Sequence, residues 1–155
     1  MTVCWNMIIS GQVNNKRTME CVMSISKKDR ELIFQKYGGK CAYCGCELQK
    51  GWHADHLKPI GRVKKRYYDR ELDKKITKII TENPENDCFE NMMPSCPTCN
   101  NYKNNYTIEM FRQGIKDTVE SLNKYTQNYK FAKKFGLIQE TDKPVIFYFE
   151  KTGEQ

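Results

Sequence analysis

Residues 41–60, CAYCGCELQKGWHADHLKPI, decide how this chain is read. The stretch opens with the C-x-x-C pair Cys41 and Cys44. It also holds both histidines of the 155-residue chain, His53 and His56, with Asp55 directly against the second. A second pair, Cys96 and Cys99, follows in NMMPSCPTCNNYKNN (91–105), leaving 51 residues between Cys44 and Cys96. Two thiolates two residues apart can grip one ion from a tight turn. Two such turns complete a tetrahedral four-sulfur site of the kind zinc occupies. With four cysteines in place, no coordination position is left open for chemistry, so this ion reads as a structural staple. Its binding free energy then counts toward folding, about 10–16 kcal/mol in zinc-finger peptides. Cys46 and Cys88 remain as substitutes without a partner at two-residue spacing. The long gap between the pairs implies a small subdomain looped out between two knuckles.

The composition agrees with a stapled fold. Hydrophobic residues make up 39% and charged residues 29%, a thin supply for a self-sufficient core. Lys and Arg outnumber Asp and Glu by 26 to 19, a net charge of +7, which favours a polyanionic partner without specifying a fold. No run of about 18 apolar residues is present, so no membrane span is expected. The opening MTVCWNMIIS lacks a basic segment followed by a long apolar one, so no export signal is expected. The cysteines are therefore read as metal ligands in a reducing compartment, the cytoplasm.

Residues 1–25 show no clear period and are expected to form a loose arm, with Cys4, Trp5 and Cys21 as packing residues. Ser26 and Asp29 form a capping-box pattern ahead of a helix with Leu32, Ile33 and Tyr37 on one face, ended by Gly38 and Gly39. Trp52–Leu57 reads as a strand. In 62–82, Tyr68, Leu72, Ile76 and Ile79 recur every three or four residues, which predicts a helix ending before Pro84. Its other face carries Arg62, Lys64, Lys65, Arg66, Arg70, Lys74, Lys75 and Lys78, a solvated face or a phosphate-contacting one, with Lys64, Lys65, Arg66, Arg70 and Lys74 the candidate nucleic-acid contacts. Ile108, Phe111, Ile115, Val119, Leu122 and Tyr125 trace a long amphipathic helix despite Gly114. That helix, over 107–127, is a candidate both for a homodimer interface and for intramolecular core. KFAKKFG predicts a further short helix, and PVIFYFE a C-terminal strand.

Zinc pinning Cys44 near Cys96 would draw Asp55 and His56 against NNYKNN, which follows Cys99. That brings a carboxylate, an imidazole and amide oxygens together. Such oxygen donors suit a hard ion such as Mg2+, and an imidazole is a suitable general base at neutral pH. Together they have the parts needed to hydrolyse a phosphodiester. An Asp-His dipeptide or an asparagine cluster alone is an ordinary surface feature. Their order between two knuckles carries the signal.

In that order, C-x-x-C, ADHLKPI and NMMPSCPTCNNYKNN resemble the HNH endonuclease family in its zinc-knuckle form, over about residues 26–106. The resemblance implies an α+β fold: a zinc-stapled ββα-metal (HNH, His-Me finger) core, with added helices and a C-terminal strand outside it. It implies a nuclease core over 26–106 with a basic helical insertion at about 62–82, and a helical extension over 107–155. By resemblance His56 is the general base and Asp55 a ligand of catalytic Mg2+ or Mn2+. Asn100 takes the position of the second ligand, and Asn91 is the middle Asn that bridges the loop and holds the base. Lys103 is a phosphate contact. His53 and Asn104 are further candidates, His53 being either a strand histidine with a backbone partner or a group that meets the phosphate. The segment between His56 and Asn91 is longer than in compact members, and the last motif residue is Asn where many relatives have His. The implied activity is DNA cleavage to 5′-phosphate and 3′-hydroxyl ends, with mostly backbone contacts to DNA. It is placed in the cytoplasm, that of a bacterial host if the chain is phage-encoded. The rival reading is a zinc-stapled nucleic-acid-binding protein without catalysis.

Overall fold

The computed structural model describes residues 25–153, so the readings made for Cys4, Trp5 and Cys21 lie outside the described residues. Helix α1 (Lys27–Gln35) begins as its sequence predicts. Ser26 Oγ accepts the Asp29 N–H at 3.1 Å while the Asp29 carboxylate accepts the Ser26 N–H at 3.2 Å, satisfying donors the first turn would otherwise leave bare. The helix buries Ile33, with Tyr37 just past its end, but leaves Leu32 51% exposed.

The chain enters the first knuckle after Gly38 and Gly39. Gly45, at φ 77°, closes it where a Cβ would lie 2.7 Å from Tyr148 Cδ2, so neither the backbone nor the space admits a side chain. Strand β1 (His53–His56) follows. It pairs antiparallel with β4 (Met92–Ser95), in the register His53 opposite Ser95 and His56 opposite Met92. Helix α2 (Pro97–Lys103) leaves β4 at once, with Cys96 at its N-cap and Pro97 in its first turn, where a missing N–H costs nothing. The remaining helices are α3 (Ile108–Tyr125), α4 (Gln127–Lys134) and α5 (Tyr148–Lys151). The architecture is α+β, with two small antiparallel sheets and five helices among the described residues. None of these helices is long and apolar enough to cross a membrane.

Two expectations fail. Residues 62–82 are not a helix but a hairpin of β2 (Arg62–Asp69) and β3 (Lys74–Thr81). A helix here would need a neighbour to bury its apolar stripe, and none is supplied. Even in the hairpin Tyr68, Leu72 and Ile79 stay 57%, 58% and 65% exposed. The Asp69 carboxylate accepts the N–H groups of Glu71 and Leu72, each at 3.1 Å, and Asp73 adopts φ 46°. These bonds set a turn where the helical reading ran straight through, and the β-branched run KITKIIT then pairs back.

PVIFYFE is likewise not a strand. Phe147 is buried against Tyr43 and Phe111, with ring centroids 5.8 and 5.1 Å away. The Tyr148 and Phe149 N–H groups bond to Tyr43 O and Ala42 O at 2.9 and 2.8 Å, and a helical turn begins there. The segment spends its backbone donors on the first knuckle rather than on a partner strand.

The core centres on the knuckle. Cys41, Ala42, Tyr43 and Leu48 pack with Met93, Phe111 and Phe147. The apolar stripe of α3 is used mainly at its start, where Phe111 is buried, while Val119 and Tyr125 are 40% and 73% exposed. Gly114 has a packing reason: a Cβ there would sit 3.4 Å from Tyr102, whose hydroxyl donates to Gly114 O at 2.9 Å. Trp52 is a packing residue, tilted against Phe34 with centroids 5.6 Å apart and covered by the Arg30 guanidinium at 4.1 Å.

Candidate active site and metal centre

The two knuckles bring the four expected cysteines together. The sulfur atoms of Cys41, Cys44, Cys96 and Cys99 all lie within 4.8 Å of one another. Cys44 and Cys96 Sγ are 3.9 Å apart. A tetrahedral site with Zn–S of about 2.3 Å has sulfur–sulfur edges of about 3.8 Å, so the donor set fits a structural zinc ion. Backbone donors favour thiolates here, with the Cys96 N–H 3.4 Å from Cys41 Sγ and the Cys99 N–H 3.4 Å from Cys96 Sγ. Cys46 and Cys88 are outside the set of four.

Alternation along β1 sends His53 and Asp55 to one face and His56 to the other. On the first face Asp55 is nearly buried. Its Oδ2 accepts from the Tyr43 hydroxyl and, at 3.1 Å, from the Lys103 ammonium. Burial and the adjacent Asp55 carboxylate push the Tyr43 phenol far above its usual range, so it stays a donor. Asn100 on α2 meets the same face, its side-chain nitrogen 3.3 Å from His53 Nδ1. His53 is exposed and partnered by a side chain, not by the backbone. Asn104 ends α2 at φ 47°, exposed, with its N–H on Asn100 O.

On the second face His56 Nε2 is 2.9 Å from Asp87 Oδ1. Asp87 escaped the sequence reading because nothing local marks an acid after NPEN as a histidine partner. Only the return of the chain from the hairpin delivers it. Asn91 clamps the loop after His56 from both sides. Its Oδ1 accepts the Lys58 N–H at 2.9 Å, while its Nδ2 donates to Lys58 O at 2.9 Å and Asn86 O at 2.7 Å.

Lys103 corrects the reading that made it a phosphate contact. It is fully buried, and its ammonium donates to His56 O at 2.6 Å while pairing with Asp55. A solvent-facing lysine would leave the Asp55 carboxylate uncompensated inside the fold. Lys64, Lys65, Arg66 and Lys74 stand on hairpin strands and Arg70 in the turn, all exposed, not on one face of a helix. Comparison with family models, with curated proteins and with solved structures gave no match.

Proposed function

We propose that this chain is a divalent-metal-dependent endonuclease that hydrolyses DNA phosphodiesters. The observation that carries the reading is the His56–Asp87 pair at the end of β1, next in sequence to Asp55, which shares the other face with His53 and Asn100. With Asp87 accepting from Nε2–H, the imidazole keeps a lone pair on Nδ1 to take a proton from water. That water attacks phosphorus in line, and the 3′-oxygen leaves, giving 5′-phosphate and 3′-hydroxyl ends. Asn91 restrains the loop that follows His56, and the exposed His53 would donate to a phosphate oxygen. Asp55 and Asn100 supply the hard oxygen donors that suit Mg2+ or Mn2+ better than Zn2+. Because Asp55 Oδ2 already accepts two bonds, Oδ1 is the oxygen left for the ion. When bound, the ion would stabilise charge on the phosphate and the leaving oxygen.

The resemblance to the HNH family points the same way, and the strand, strand, helix order of β1, β4 and α2 supports it. A reducing cytoplasm would keep the zinc thiolates intact. In a plasmid-nicking assay with Mg2+, His56→Ala should lower the rate by about 10²–10⁴-fold. Equally little nicking by wild type and variant would remove the nuclease reading.

One observation favours the rival, a zinc-stapled DNA-binding protein without catalysis: the buried Lys103 ammonium already neutralises Asp55. Salt-dependent DNA binding without Mg2+-dependent cleavage would select it.

A further inference from the structure

The hairpin sorts its charges by face. In an antiparallel pair, directly opposed residues share a face. Arg62, Lys64, Arg66 and Tyr68 of β2 therefore lie with Thr81, Ile79, Thr77 and Lys75 of β3. At its paired positions this face carries four cations and no acid, with Asp73 of the turn bonded to the Tyr68 hydroxyl at its tip. The opposite face pairs Val63 with Ile80 and Tyr67 with Ile76, and mixes Lys65, Lys74 and Lys78 with Asp69.

Burial separates the faces again. Val63, Asp69, Ile76 and Ile80 leave the second face half-buried at four positions, whereas on the first face only Thr81 is half-buried. Like charges on one side of a two-stranded ribbon repel, each close pair costing a few tenths of a kcal/mol or more. Four cations on an open face are therefore complementary to a polyanion.

The ribbon is also hydrogen-bonded at its base to the segment that follows β1. At its base the Asn83 N–H bonds to Ile60 O at 3.1 Å, and the Asn83 and Asn86 side chains donate to Pro59 O at 3.4 and 3.0 Å. His56 lies just before this base in sequence and Asp87 just after it.

We propose that the Arg62, Lys64, Arg66 and Lys75 face of the hairpin is a duplex-DNA-binding ribbon that enters the major groove and registers the backbone against His56. The inference rests on the nuclease reading for its substrate class and adds the form of that substrate. A B-form major groove about 12 Å wide admits a two-stranded β-ribbon. The deep, narrow major groove of A-form RNA does not. Strands of eight residues extend about 27 Å at ~3.4 Å per residue, enough to follow several base pairs.

The test measures fluorescence anisotropy with a labelled 20-base-pair DNA duplex and the RNA duplex of the same sequence, all proteins carrying His56→Ala so that no substrate is cut. One variant replaces Arg62, Lys64, Arg66 and Lys75 by Ala, and a second replaces Lys65, Lys74 and Lys78. Zinc content and circular dichroism confirm that both remain folded, as exposed hairpin substitutions should.

If the four cations each meet a phosphate, the first variant loses about 0.9 per contact from the salt slope, close to 3.6 in all. Its affinity near 0.1 M salt then falls on the order of a thousandfold. The second variant should lose far less, and the RNA duplex should bind the parent weakly. Equal losses in the two variants, no loss in the first, or equal affinity for RNA and DNA duplexes would overturn the proposal. With His56 restored, plasmid nicking by the four-cation variant at wild-type efficiency would also sink the ribbon while leaving the nuclease reading intact. The predicted binding pattern in a protein that never cleaves DNA would do the reverse.

Discussion

Replacing Lys103 by Met separates the buried lysine seen in the fold from the phosphate-contacting lysine suggested by the sequence. The ammonium lies in the interior, 2.6 Å from His56 O and 3.1 Å from Asp55 Oδ2. Removing it leaves the Asp55 carboxylate facing the Tyr43 hydroxyl without a counter-charge, and His56 O without its donor. Breaking one partner of a buried pair costs about 3–5 kcal/mol. Met keeps most of the side-chain volume, so the cavity contribution is small.

For a domain of this length each kcal/mol moves Tm by about 2–4 °C. Zinc-saturated Lys103→Met should therefore melt roughly 6–20 °C below wild type by calorimetry or circular dichroism. The pairing predicts non-additivity as well: Asp55→Asn with Lys103→Met should fall short of the sum of the single effects by about 2 kcal/mol. A fall in Tm below about 2 °C, together with weakened DNA binding, would refute the buried pair and restore the phosphate contact.

Three other outcomes follow from the same geometry. Chelating zinc, or replacing Cys96 by Ser, should unfold the knuckle core. Loss of ellipticity on adding chelator, reversed by Zn2+ and more readily at higher pH because the thiols must lose protons, is the measurement. If the chain is the proposed nuclease, Asp87→Asn should lower kcat about tenfold to a hundredfold with KM little changed, since a histidine misplaced by about 1 Å costs that much. An equal loss through KM would show that Asp87 does not orient the base. The Glu150 carboxyl, gripped by Arg112 at 2.5 Å, lies below the ordinary carboxylate range chiefly through that bond. A carboxylate depressed in the fold contributes stability above its unfolded value, near 4.3, which is lost as pH falls through the lower folded value. Glu150→Gln should therefore narrow the stability gap to wild type as pH drops from about 5 toward 2 in denaturant titrations.

The sequence alone determined the features whose cause is local or fixed by spacing. The capping box at Ser26 and Asp29, the strand holding both histidines, the amphipathic α3 and the four-cysteine cluster were all legible. Each depends on neighbours within a turn or on two rigid two-residue bites. Where the cause is a distant partner, the sequence misled or was silent. Residues 62–82 satisfy a helical period and a β-branched strand composition equally. The decision fell to the Asp69 turn and the lack of any surface to bury a helical stripe. PVIFYFE has strand composition, but its backbone donors are taken by Ala42 and Tyr43, more than a hundred residues earlier. Lys103 and Asp87 carry no mark of their destinations. One is drawn inside by the charge of Asp55, and the other is returned to His56 by a hairpin whose existence only the folded chain reveals. Local chemistry writes the pieces, whereas burial and long-range pairing choose which charges meet.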